Sequence, residues 1–183
     1  MPEDALARPL KIADSKKWTQ GTRKGMTVPV AYSPPDAIAG RYDAVLLLTN
    51  TWGDNPSVPI RSFLESPEAQ AVLSDTPFGV YVVCRRLWEK NLAIVQKLAE
   101  AAGGRFLAGE AFMHPGGQLG SLIQTISYLH RSDGGLRHLL GLPLPRYGLS
   151  DAAITRIPEF TLELLNTVEQ AVAEPVVGQG GKK

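Results

Sequence analysis

Only one cysteine, Cys84, occurs among the 183 residues, so no disulfide can form within the chain and no thiolate set is available for a metal. A lone thiol fits a reducing compartment, and the cytoplasm is the expected address. Long apolar runs are also lacking: none approaches the ~18 residues of a membrane span. The first residues, MPEDALARPLK, are acidic where a signal peptide would be basic, so no membrane partner is expected. Charge of one sign is missing too. Lys+Arg 19 against Asp+Glu 18 leaves a net charge of +1, too little to draw the chain to nucleic acid by a global field. The three histidines, His114, His130 and His138, lack the short mutual spacing of a metal site, so no metal is expected. No G-x-S-x-G, G-x-x-x-x-G-K-S/T or G-x-G-x-x-G motif is present, which removes the obvious hydrolase, P-loop and Rossmann readings. No internal repeat is found.

What is present is enough for one buried core: 44% of residues are hydrophobic in a chain of single-domain length. The organising stretch is Tyr42 to Ser66. Ala44 to Leu48 is a short continuous apolar run, which predicts a strand buried on both faces, as in a parallel sheet. Thr49-Asn50-Thr51-Trp52-Gly53-Asp54-Asn55-Pro56 follows as a polar loop around one Trp. Ser57 then caps a helix carrying Pro59 early and Ile60, Phe63 and Leu64 on its apolar face. The loop therefore stands at the carboxyl end of a strand, where open α/β sheets bind ligands.

Further along, Phe78 to Val83 predicts a second buried strand, delivering Cys84, Arg85, Arg86 and Trp88 to the same sheet edge as Thr51 and Trp52. The next helix has Leu92, Val95, Leu98, Ala99 and Ala102 on one stripe and stops at Gly103-Gly104. Arg105 to Met113 reads as a third strand or bent connection, His114 to Gln118 as a third strand-end loop, and Gly120 to His130 as a short helix. Arg131 to Gly148 is a Gly-, Pro-, Arg- and His-rich connection of a length usually functional or mobile. A last helix starts at Ser150-Asp151, with Pro158 expected to kink or interrupt it. Residues 1–40 read as an irregular segment, with Leu10 to Ala13 and Val28 to Tyr32 as candidate short strands. Residues 41–173 form the domain and 174–183 a disordered tail.

Thr49 to Pro56, with Pro59 to Leu64, resembles the loop after the third strand of the flavodoxin-like fold, where T-x-T/Y-W-G-x-x-P lies against the ring of FMN. Val83-Cys84-Arg85-Arg86-Leu87-Trp88 is similar to the G-C-R-x-M-W loop of the branch containing dialkylresorcinol condensing enzymes, keeping the Cys, the first Arg and the Trp. The resemblance runs from about Tyr42 to Ala171. It implies a three-layer α/β sandwich with a parallel sheet, FMN as cofactor, NAD(P)H as electron source, and a small molecule or redox protein as partner. The flavin-binding set it implies is Thr49, Asn50, Thr51, Trp52, Gly53, Asn55, Cys84, Arg85, Arg86 and Trp88. The family's N-terminal βα unit with its hydroxyl-rich phosphate loop is reduced or missing; Thr19 to Lys24 is the nearest candidate, but no amphipathic helix follows it.

Each site residue has a plainer alternative. Trp52 and Trp88 either face a flavin or plug the top of the core; Arg85 and Arg86 either receive an anion or are surface residues at a helix start. Cys84, activated by the two arginines, would be a nucleophile, but no nearby His can serve as its base and a small apolar filler is the simpler role. Two functions follow: an FMN-associated oxidoreductase or electron-transfer protein, or a flavodoxin-like module without tight FMN binding, serving as a partner or structural domain or as part of a longer enzyme. Pairing with a second copy is open in either case.

Overall fold

The computed structural model describes residues 9–131, 133 and 135–173. The sheet is built around Pro77–Cys84 (β3), whose residues are buried except Val83, because both faces and both edges are covered. Val45–Trp52 (β1) pairs with it in parallel, from Val45 opposite Phe78 to Asn50 opposite Val83. Asn55–Pro56 (β2) turns back on the end of β1 in antiparallel sense, and Arg105–Met113 (β4) runs parallel on the other side of β3. The order is β2, β1, β3, β4, so the sheet is mostly parallel, and the expected pairing of the strands holding Val45 and Val82 is observed.

Helices lie on both faces, an arrangement compatible with a three-layer sandwich. Ile12–Arg23 (α1) precedes the sheet; Val58–Leu64 (α2), Pro67–Leu73 (α3) and Glu89–Ala101 (α4) connect its strands. Gln118–His130 (α5) and Asp151–Ala173 (α6) follow β4, separated by a small hairpin of His138–Leu139 (β5) and Leu142–Pro143 (β6). On one face Leu47, Phe78, Val80 and Val82 meet Leu64, Leu73, Val95 and Ala99 from α2, α3 and α4. Each fully buried aliphatic or aromatic side chain there contributes about 1.5–3 kcal/mol by leaving water. On the other face α6 sets Phe160 and Leu164 against Tyr81 and Phe112. Gly79 is what allows this approach, since a Cβ there would sit 2.4 Å from Leu164 Cδ1.

Several expectations change. The run Ala44 to Leu48 is covered on one face only: Leu46 and Leu48 are 40% and 64% exposed. Register places them beside Gly79 and Tyr81 on the α6 face, but α6 crosses β3 and β4 and stops short of β1. The outer edge of β1 is paired at Thr51 and Trp52 alone, so among the described residues the backbone from Val45 to Asn50 has no neighbour strand there. Thr49 to Trp52, expected as loop, continue the strand. The N-terminal segment is not irregular throughout, because Ile12 to Arg23 is a helix and neither Leu10 to Ala13 nor Val28 to Tyr32 is a strand. Its apolar stripe is thin, so its anchorage comes from tertiary contacts such as Trp18 against Trp52, which local periodicity does not reveal. Pro158 leaves α6 a single helix. The carbonyl it frees belongs to Ile154, an exposed residue, so water can replace the lost bond. The expected tail, 174–183, lies outside the described residues. No helix among those described is long and apolar enough to cross a membrane.

Candidate functional site at the strand ends

Parallel pairing brings the ends of β1, β3 and β4 to one edge, where Thr51 and Trp52 stand near the level of Cys84 and Met113. The first loop is a tight reversal. Gly53 has φ 74°, which a residue with a Cβ adopts at a cost, and Asp54 completes the turn before Asn55 returns opposite Trp52. Asp54 is held below the usual carboxylate range, chiefly by its hydrogen bond from Lys90, at 2.8 Å, with Arg23 adding to the field. Asn91, fully buried at the start of α4, closes the reversal from beneath: its amide Nδ2 donates to the carbonyls of Asn50 at 3.2 Å and Asn55 at 3.1 Å.

From above, α1 lies over the same loop. Trp18 meets Trp52 edge to face, with ring centroids 5.9 Å apart. Thr22, buried, donates its hydroxyl to the carbonyls of Thr19 at 2.9 Å and Trp52 at 3.3 Å. Thr19 to Arg23 thus does fold over the strand ends, but as the last turn of a helix. Such an end presents carbonyls and partial negative charge, the opposite of what a phosphate requires. Together with the spent Thr22 hydroxyl, this makes the segment a poor fit to the phosphate of FMN.

The second loop turns toward β4. Arg86 donates through Nη1 to the carbonyls of Arg85 at 2.7 Å and His114 at 3.3 Å and through Nη2 to that of Gly116 at 2.5 Å; Arg85 donates to the carbonyl of Gln118 at 3.2 Å. Both guanidinium groups therefore staple the third loop, a role outside the two considered from sequence. Trp88, half-buried at the start of α4, packs against the core cluster that α2, α3 and α4 share with the sheet. Cys84 is buried, and desolvation pushes its thiol up to about 11, with Arg86 only partly opposing the effect. At neutral pH it is a protonated, inert thiol.

His114, missed as a site residue although its loop was placed correctly, is 6% exposed. Its backbone N–H donates to the carbonyl of Cys84 at 2.8 Å, its ring Nδ1 faces the carbonyl of Pro115, and its ring Nε2 is buried with no hydrogen-bond partner among the described residues. Its ring lies 5.6 Å from that of Tyr147, which stacks on Tyr128 at 4.0 Å. These tyrosines line a cleft of about 850 Å³ between α5 and the chain around the β5–β6 hairpin; none of the ten residues expected from sequence lines it. No group of three His, Cys, Asp or Glu able to hold a metal gathers among the described residues.

No protein-family model matches the chain, and neither does any curated protein or solved structure.

Burial of Cys84 gives a pH dependence. Its folded value lies above the ordinary thiol value of 9.0 that the unfolded chain would show, so its contribution to stability is full below that value and is lost as pH rises toward 11. Labelling of the native protein with iodoacetamide should accelerate only as pH approaches about 11. A thiol reacting at the rate of a free cysteine at pH 7 contradicts the burial.

Proposed function

We propose that the chain is a flavodoxin-like module that does not hold FMN tightly at its strand ends and acts by pairing with another polypeptide, a second copy of itself. The observation that carries the first half is the closure of the Thr49 to Pro56 loop by the protein's own groups: Trp18 on the Trp52 ring, Thr22 on the Trp52 carbonyl and Asn91 beneath. A flavin ring would have to displace Trp18, and its phosphate would find a helix C-terminus. An FMN oxidoreductase supplied by NAD(P)H is the weaker reading for that reason.

The second half rests on the edge of β1. A free strand edge offers N–H and C=O groups in alternation, and another extended strand complements them. The strand is apolar from Val45 to Leu48, with Leu47 flanked by Leu46 and Leu48. With two copies antiparallel and Leu47 facing Leu47, each Leu46 stands opposite the other copy's Leu48, covering the leucines that α6 leaves bare.

Two measurements test this reading. Calorimetry should find FMN binding no tighter than micromolar, with affinity unchanged in Thr22→Ala/Arg23→Ala; a submicromolar constant lost in that variant would contradict the closed loop. Sedimentation equilibrium should find a dimer, and Leu48→Lys, which charges the stripe without touching the core, should give a monomer that still unfolds cooperatively, at a midpoint that no longer rises with protein concentration. A wild-type monomer across the dilution series sinks the pairing.

A further inference from the structure

We propose that the cleft between α5 and the β5–β6 hairpin is a binding site for a small planar aromatic anion, an aryl carboxylate or aryl phosphate. This goes beyond the function above, and none of the ten residues of the flavin-binding set lines the cleft. The site is built on an ordered frame. Gln124 and Ser127, both buried on α5, grip the turn opposite: Gln124 Nε2 donates to the carbonyl of Leu136, and the Leu136 N–H donates to Ser127 Oγ at 2.6 Å. Gly135, with φ 96°, fits there because a Cβ would lie 3.3 Å from Gln124 Oε1, Ser127 Oγ and the Tyr128 nitrogen. The hairpin reverses through Leu140 and Gly141, both at positive φ, and the Leu144 N–H donates to the Arg137 carbonyl at 2.9 Å, fixing the base from which Arg137 and His138 project. Pro145 then covers Gly116 of the third strand-end loop, where a Cβ would be 2.7 Å from the proline ring. A frame held at so many points loses little freedom when a ligand arrives.

The lining specifies the ligand. Tyr128 and Tyr147 are stacked face to face, with centroids 4.0 Å apart and 17° between their planes, and the stack lines the cleft with aromatic surface on which a ring can pack. Arg137 and Arg146 line the same cleft, are exposed, and have no ion-pair partner among the described residues. Asp133, also in the lining, is neutralised by Arg131, which donates to it through Nε at 2.9 Å. Two unpaired guanidinium groups beside an aromatic wall favour an anionic oxygen group carried on a planar ring, since the arginine fork binds such oxygens in pairs. His138 adds a further donor or acceptor to the rim.

Calorimetry on the whole chain with 1-naphthyl phosphate, 1-naphthol and inorganic phosphate tests the assignment. The phosphate ester should bind saturably with one equivalent, and the neutral naphthol and the bare phosphate about tenfold or more weakly, because each lacks one of the two contacts. Arg137→Gln/Arg146→Gln, which alters only exposed side chains, should weaken the ester about tenfold or more while its unfolding curve stays in place. Tyr147→Leu should weaken the ester and leave inorganic phosphate unchanged; if it fails to fold, the arginine variant and the three-ligand comparison still decide. Thr22→Ala/Arg23→Ala should leave the ester's affinity intact, which separates this site from any binding at the strand ends. The proposal is overturned if the ester shows no saturable binding, if inorganic phosphate binds as tightly, or if the double arginine variant binds the ester like the wild type.

Discussion

The buried amide of Asn91 holds the arrangement at the strand ends. A parallel strand must end somewhere, and its last carbonyls then need donors that the neighbouring strand no longer supplies. Asn91 gives its two N–H bonds to Asn50 and Asn55, one on each arm of the reversal. Leaving either carbonyl buried without a donor costs on the order of 1–3 kcal/mol, so the loop is fixed to the start of α4. Once it is fixed, Trp52 presents its ring to Trp18, Thr22 reaches the Trp52 carbonyl, and Lys90, the residue before Asn91, meets Asp54 at 2.8 Å. Exposed pairs such as Lys90 and Asp54 contribute little energy, but here they agree with the amide about where the turn lies.

The same logic governs the neighbouring loops. Arg86 satisfies carbonyls of the second and third loops, and Arg85 adds a bond to the start of α5. The strand ends are thus closed by internal donors on both sides of β3. What stays open is displaced from them: the edge and outer face of β1, where α6 does not reach, and the cleft beyond β4, where α5 and the hairpin diverge. Open backbone invites a strand, while an aromatic wall with unpaired cations invites a charged ring.

The order of the central elements was legible because it depends on local pattern. The run Phe78 to Val83 has the composition of a strand covered on both faces, and Gly103 ends α4 at φ 96° as a helix-terminal glycine should. Coverage of β1 was not legible, since the same apolar run serves an interior strand and an edge strand, and only the path of α6 decides between them. Helix α1 was hidden because it is anchored at Trp18 and Thr22 by partners more than 25 residues away in sequence. Trp52, Cys84 and Arg86 were rightly placed at strand ends, but what each side chain faces depends on long-range partners. Asn91 gave no signal, being one polar residue on an otherwise ordinary amphipathic helix. The cleft residues Tyr128, Arg137, Arg146 and Tyr147 come together only when the segment folds back on α5; its Gly-, Pro- and Arg-rich composition was the one hint.

The most direct test of this account is amide hydrogen exchange in Asn91→Leu, which keeps the branching at Cγ and removes both donors. If the buried amide holds the strand ends, exchange across residues 49–56 should quicken by tenfold or more while β3 stays protected, and stability should fall by at least the roughly 1–3 kcal/mol of one orphaned carbonyl. Protection of residues 49–56 equal to that of the wild type would contradict it, and the closed loop would then need another cause.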